Sequence, residues 1–270
     1  MKTLISAIAV WGAVGSSPLS ADEITADGLT ALVAAQVVVL GEVHDNPQHH
    51  ANQAAAVAAI APAALVFEML TPEQAAADYS AVLDDPQAMA EALGWAENGW
   101  PDFAMYHPIF VAAPQATLYG AWVQRDAARA VFERPLAQVF EGDAARFGLN
   151  GALPADQQTA REAMQMAAHC DALPAEMLPG MVAVQRLRDA VLAQSALQAL
   201  TDTGGPVVVI TGTGHARDDW GMPHLLRRAA PDVTVISVGQ YEITPPESPP
   251  HDFWVVTDAT ERPDPCDAFR

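Results

Sequence analysis

Basic side chains are scarce in this chain. Lys and Arg together number 13 against 33 Asp and Glu, a formal net charge of −20. A phosphate backbone needs a basic face, so nucleic acid is excluded as a partner. Anionic membrane surfaces are disfavoured for the same reason. Cysteine is sparse too: only Cys170 and Cys266 occur. That excludes a CxxC redox pair, a CxxCH haem attachment and zinc-finger spacing. It leaves room for one disulfide in an oxidising compartment, if the fold brings the two together. No apolar run reaches the ~20 residues that a membrane span needs. The short run over residues 4–14, with Lys2 before it and small residues up to Ser20-Ala21 after it, reads as a secretory signal peptide over residues 1–21. A periplasmic protein is therefore expected. No cysteine follows the run, so no lipid anchor is expected.

What is abundant is apolar. Hydrophobic residues make up 51% of 270 residues, enough for a sizeable core in one α/β domain over residues 22–270. The segment that organises the rest is VVVLGEVHDNPQHH, residues 37–50. Four apolar residues run into Gly41, and Glu42, His44, Asp45, His49 and His50 follow within ten positions. Open α/β sheets build sites in this way, at the carboxyl ends of their strands. Asn46-Pro47 then reads as a helix N-cap and first helical residue. His50 shares a helix face with Gln53, and His49 is expected to face solvent.

Further strands are expected at 64–69, 115–119, 206–210, 233–238 and 253–257, with helices between them. Thr71-Pro72 signals another helix start. Residues 84–108 carry Trp95, Trp100, Tyr106 and His107 among Gly and Pro. They read as an aromatic loop, either one wall of a pocket or the cover of a satellite core. From 154 to 200 the chain is almost all helical, broken at Leu173-Pro174. The expected fold class is α/β: a mostly parallel central sheet flanked by helices, with an inserted helical subdomain at about 135–200.

Three strand ends carry polar residues: Glu42 and His44, then Glu68, then His215. Parallel strands would place them on one edge. Carboxylates with imidazoles suit a divalent metal ion or metal-free acid–base work, so all four are candidates both as catalytic groups and as metal ligands. The spacing GxxH occurs twice, at Gly41–His44 and Gly212–His215, each time after an apolar strand. TGTGHA lacks the GK[ST] ending and the GxGxxG spacing of nucleotide loops. His169 lies among Met164, Met166, Met177 and Met181, which reads either as a soft haem pocket or as core filler.

GEVHDNPQHHANQ, VFEM, WAENGWPDFAMYHPI, AVQRLRDAVLA, GTGHARDDWGMPHLL and the closing DPC together resemble the ChaN-like haem-binding uptake proteins, which are grouped with the Tiki, TraB and erythromycin-esterase-type proteins. The resemblance spans about 37–266. It implies a periplasmic or outer-membrane-associated protein of haem and iron uptake, with haem held by the helical subdomain. A homodimer, with haem at the contact, is a separate expectation. Tiki-like relatives imply a metal-dependent hydrolase, with His44, His215 and one of Glu42 or Glu68 at its centre. ChaN-type haem ligation is associated with a tyrosine in the helical region, and this chain has none between Tyr119 and Tyr241. The resemblance then passes haem contact to His169, Met177, Met181 or Tyr106. Whether the chain is an enzyme stays open at this level.

Overall fold

The computed structural model describes residues 22–32, 35–264 and 266–267; the expected signal peptide lies outside these residues. The apolar runs fold as strands, and one short strand was not anticipated. They are β1 (Asp22–Glu23), β2 (Val37–Glu42), β3 (Ala64–Phe67), β4 (Thr117–Gly120), β5 (Val207–Gly212), β6 (Val235–Glu242) and β7 (Phe253–Thr257). They form one sheet in the order β1-β7-β6-β2-β5-β3-β4. Every described pairing is parallel.

The helices are α1 (Pro47–Ile60), α2 (Pro72–Ala75), α3 (Pro86–Leu93), α4 (Phe103–Ala112), α5 (Arg125–Ala130), α6 (Leu136–Val139), α7 (Ala155–Ala168), α8 (Leu178–Thr203) and α9 (Met222–Ala229). Several starts follow from the sequence. Asn46 accepts hydrogen bonds from the Gln48 and His49 amides, with Pro47 behind it. Thr71 and Gln74 form a reciprocal capping box.

Successive strand residues face opposite sides, and both sides are covered, as a parallel sheet requires. Val38, Leu40, Leu65, Phe67, Val208 and Ile210 pack with α1, α3 and α4. Val37, Val39, Ala64, Val66, Val207 and Val209 pack with α8 and α9 on the other face. This double covering explains why the strands read as unbroken apolar runs. α8 lies against β3, β4 and β5, and α7 packs on α8, so the long helical stretch is tied to the sheet through α8.

Residues 84–108 depart from the expected loop. They form α3, a 3₁₀ turn at Trp95–Asn98 and the start of α4. Pro108 lies inside α4, which is what hid that helix in the sequence. Burial of Phe103, Tyr106, Ile109 and Phe110 outweighs the proline.

Gly41 sits where chains crowd. A Cβ there would lie 2.8 Å from Thr213 Cα and 2.9 Å from the Val238 carbonyl oxygen, so only glycine lets β2 pass between its neighbours. The C-terminal tail is fastened at two points. Arg262 pairs with Asp45 and Glu242 beside the β2–α1 turn. Cys266 bonds to Cys170, their Cα atoms 5.5 Å apart, at the break between α7 and α8.

Candidate functional site

β5 is hydrogen-bonded between β2 and β3. Glu42 therefore pairs in register with Gly212, and the Glu68 amide donates to the Ile210 carbonyl at 3.1 Å. Three strand ends meet on one edge, and all four expected residues converge there. His44 Nδ1 donates to Glu42 Oε1 at 2.8 Å. His215 Nε2 lies 3.7 Å from Glu68 Oε1. A Cβ on Gly212 would stand 3.0 Å from His44 Nε2 and 3.9 Å from Glu68 Oε2, so His44 and Glu68 meet over a bare backbone. The four residues line one cavity of about 610 Å³.

The structure adds partners that spacing did not reveal. Tyr106 Oη donates to Glu42 Oε1 at 2.8 Å. Thr211 Oγ1 and the Gly212 amide donate to Glu68 Oε2 at 2.7 and 2.9 Å. His215 Nδ1 donates to Asp189 Oδ1 at 2.7 Å. Asp189 comes from α8, where it shares a face with Val182, Leu192, Ala193 and Ala196, all buried. A carboxylate on an apolar helix face needs a partner, and that was the available signal in the sequence.

These contacts set the charges. Burial alone would take the proton from His44, but its bond to Glu42 and the nearby charge of Glu68 hold it, with a pKa of about 9. Burial alone would protonate Glu68. The charges of His215 and His44, with the Thr211 and Gly212 donors, instead hold its carboxyl at about 2. Burial also disfavours a charged His215, yet Glu68 and Asp189 face it and raise its pKa. Tyr106 is pushed well above the ordinary phenol range by burial and by Glu42.

His49 does not face solvent as expected; it is fully buried, as is His50. The Val43 amide donates to His49 Nδ1 at 2.8 Å, and His49 Nε2 meets Thr257 Oγ1 at 2.8 Å. Burial keeps this ring neutral, down to about 4. His50 Nε2 donates to the His44 carbonyl, and its ring packs on Tyr106 with centroids 4.1 Å apart. The β2–α1 turn is thus held by histidines in its own helix, a use that adjacency in sequence conceals.

The residues expected to contact haem are dispersed. Tyr106 is buried under Glu42, and its neutral phenol is unsuited to ligating iron as phenolate. His169 caps α7, with Nδ1 bonded to the Gln165 carbonyl. Neither it nor Met177 nor Met181 lines the cavity, whereas Met164, Ala168 and Val182 do. Among the described residues no three His, Cys, Asp or Glu side chains are disposed to hold a metal ion. The carboxylates and imidazoles are turned on one another instead, Glu42 on His44 and Glu68 on His215.

A flat, largely apolar group fits better. Trp100, Trp122, Trp220, Met164 and Val182 wall the cavity. Trp100 lies beside His44, ring centroids 5.1 Å apart. The His44 side chain is 34% exposed, while that of Glu42 is buried completely. Buried polar atoms without a hydrogen-bond partner also belong to cavity residues: Glu42 Oε2, Trp100 Nε1, Arg161 Nε and Gln165 Oε1. Glu42 Oε2 lies 3.4 Å from His50 Nδ1 but without hydrogen-bond geometry.

Fold and site together define a parallel α/β protein with a charged Glu/His cluster beneath a ligand-sized cavity. Residues 29–226 match the family described as haem-binding uptake, Tiki superfamily, ChaN, and the chain belongs to that family. The solved structure of ChaN of Campylobacter jejuni with cofacial haem binding is similar, at 18% identity and a TM-score of 0.60, covering 79% of this chain and 84% of that one. The type III effector HopBA1 matches at 12% identity and a TM-score of 0.49, over 87% of this chain and 94% of that one. A mutant of the erythromycin esterase EreC matches at 13% identity and a TM-score of 0.43, over 83% and 77%. No curated protein sequence matches the chain.

The charge pattern makes stability depend on pH from both sides. Glu68, held below its ordinary 4.5, contributes above that pH and loses its contribution as pH falls towards about 2. His44, held above its ordinary 6.5, contributes below that pH and loses its contribution as pH rises through about 9. Thermal melts should therefore peak between these limits, and His44→Gln should flatten the alkaline limb. A wild-type melting temperature that is level from 6.5 to 9 would contradict this assignment.

Proposed function

We propose that this protein binds haem in the cavity over the strand ends and serves haem and iron uptake in the periplasm. Family membership supports the ligand. The carrying observation is the cavity itself: three tryptophans, Met164 and Val182 around an accessible His44 imidazole. Its volume of about 610 Å³ is that of a small-molecule site. Haem, when bound, would supply an iron centre, and His44 or Met164 of the cavity wall would be the residues to hold it. Glu42 fixes His44 through Nδ1, and Nε2, over Gly212 on the cavity side, would have to give up its proton to ligate iron, so haem binding by His44 would release one proton. The indole faces would bury a planar macrocycle and keep water from it. The Cys170–Cys266 disulfide supports an oxidising compartment.

Haemin titration of the purified chain tests this. A saturable Soret change at one equivalent is expected. His44→Ala and the cavity-filling Val182→Trp should each weaken binding about tenfold or more, roughly 1.4 kcal/mol. His169→Ala should leave it unchanged. Absence of a saturable change at stoichiometric loading would overturn the reading.

The Asp189–His215–Glu68 array favours a second reading, hydrolysis. Asp189 orients His215 through Nδ1 and leaves Nε2 towards Glu68 and the cavity. In that step Glu68 would take the proton of an attacking water and His44 would give one to the leaving group, while Asp189 holds His215 in place beside Glu68. With p-nitrophenyl acetate as probe, Asp189→Asn and His215→Asn should each slow turnover by about 100-fold. A wild-type rate no faster than that of the two variants would remove this reading.

A further inference from the structure

Every arginine of this acidic chain lies at or after Arg125. Several are matched to carboxylates: Arg217 to Asp219, Arg227 to Asp218 and Asp252, Arg262 to Asp45 and Glu242. Arg125, Arg134, Arg146, Arg161, Arg186, Arg188 and Arg228 appear in no ion pair among the described residues, and three of them, Arg161, Arg186 and Arg228, come together. All three line a second cavity of about 410 Å³, together with His224, and no Asp or Glu lines it. With 33 acidic residues against 13 basic ones, a carboxylate-free wall of this kind is a feature that needs explaining.

Arg161 is the least expected of the three. It is only 7% exposed, and its Nε has no hydrogen-bond partner. Its Nη2 reaches Gln157 Oε1 and the Trp220 carbonyl at 3.4 Å each, near the limit for a hydrogen bond. Burying a guanidinium with no carboxylate in contact is costly, and here only the more distant charges of Asp189 and Asp219 favour it. Its Cζ lies 5.1 Å from the centroid of the Trp220 ring, and Arg161 and Trp220 line both this cavity and the first one. The other two lie beside the turn at Gly148. Arg186 Nη2 donates to the Gly148 and Gly151 carbonyls at 3.3 Å. Gly148 is left-handed, φ +70°, and a Cβ there would come within 2.6 Å of Arg228 Nε. The glycine therefore makes room for the guanidinium as well as for the turn.

Guanidinium groups converging on a carboxylate-free cavity suit an oxyanion, which they grip with paired charge-assisted hydrogen bonds. We propose that this second cavity is an oxyanion subsite, in which Arg161, Arg186 and Arg228 take a carboxylate or phosphate group of the molecule whose body occupies the first cavity. The proposal rests on the first cavity being a ligand site, and not on that ligand being haem.

The test uses the full chain, the variants Arg161→Gln and Arg228→Gln, and three probes: haemin, haemin dimethyl ester and inorganic phosphate. Arg228 is exposed, so its variant decides the matter should Arg161→Gln fail to fold. If the group is a carboxylate, wild type should bind haemin about tenfold or more tighter than the ester, and the preference should vanish in the variants. If the ligand is a phosphate compound, haemin shows no preference over its ester or does not bind. Calorimetry should then show phosphate binding that weakens about tenfold or more in both variants. That outcome keeps the subsite while removing the haem reading. The proposal is overturned if variants with wild-type melting temperatures show no loss in either arm, or if wild type neither prefers haemin over its ester nor binds phosphate.

Discussion

Two carboxylates are buried at the ends of the two strands that flank β5, and an imidazole ring lies against each. That pairing is the constraint from which the rest of the site follows. Glu42 alone would be costly at the end of a fully covered strand; His44 and Tyr106 satisfy one of its oxygens. Glu68 is satisfied by Thr211, the Gly212 amide and the facing His215. None of these contacts exists without the strand order. Only because β5 lies between β2 and β3 does the turn after Gly212 come between the two acids. The sheet register and the charge pattern are thus one requirement, which Gly41 and Gly212 meet by carrying no side chain where chains crowd.

Much of this was legible in the sequence, for identifiable reasons. Apolar strands covered on both faces leave unbroken valine-rich runs, so 37–40 and 206–210 were plain, and the polar residues after them marked the edge. The convergence of Glu42, His44, Glu68 and His215 followed once the strands were parallel. What stayed hidden were contributions from helices far along the chain. Asp189 lies within a long, mostly apolar helix, and nothing local ties it to His215. Tyr106 was masked by Pro108, which made a buried helix look like a loop. His49 looked solvent-facing because a helix start usually is; here the tail and β7 cover it, and Thr257 satisfies its ring. The methionines of the helical stretch offered a pocket by composition, but the cavity takes its wall from Trp100, Trp122 and Trp220 instead.

The site is also braced from outside. Arg262 holds Asp45 and Glu242 across the β2–α1 turn, and Asn46 donates to the same Glu242 at 2.7 Å. Beyond it, the disulfide anchors the tail to the far end of α7. Two parts of the chain that border the site, the turn carrying His44 and the helix carrying Arg161 and Met164, are therefore linked through one strap. A rigid frame of this kind suits a protein that presents a preformed cavity, with charged groups fixed before any ligand arrives.

The central claim is electrostatic: His44 carries a proton at neutral pH because Glu42 and Glu68 hold it there. Nitrogen-15 NMR of the histidine side chains reads this directly. The account predicts both His44 ring nitrogens protonated at pH 7, with loss of the proton near about 9, while the buried His49 is neutral at the same pH. A neutral His44 ring at pH 7 would contradict it.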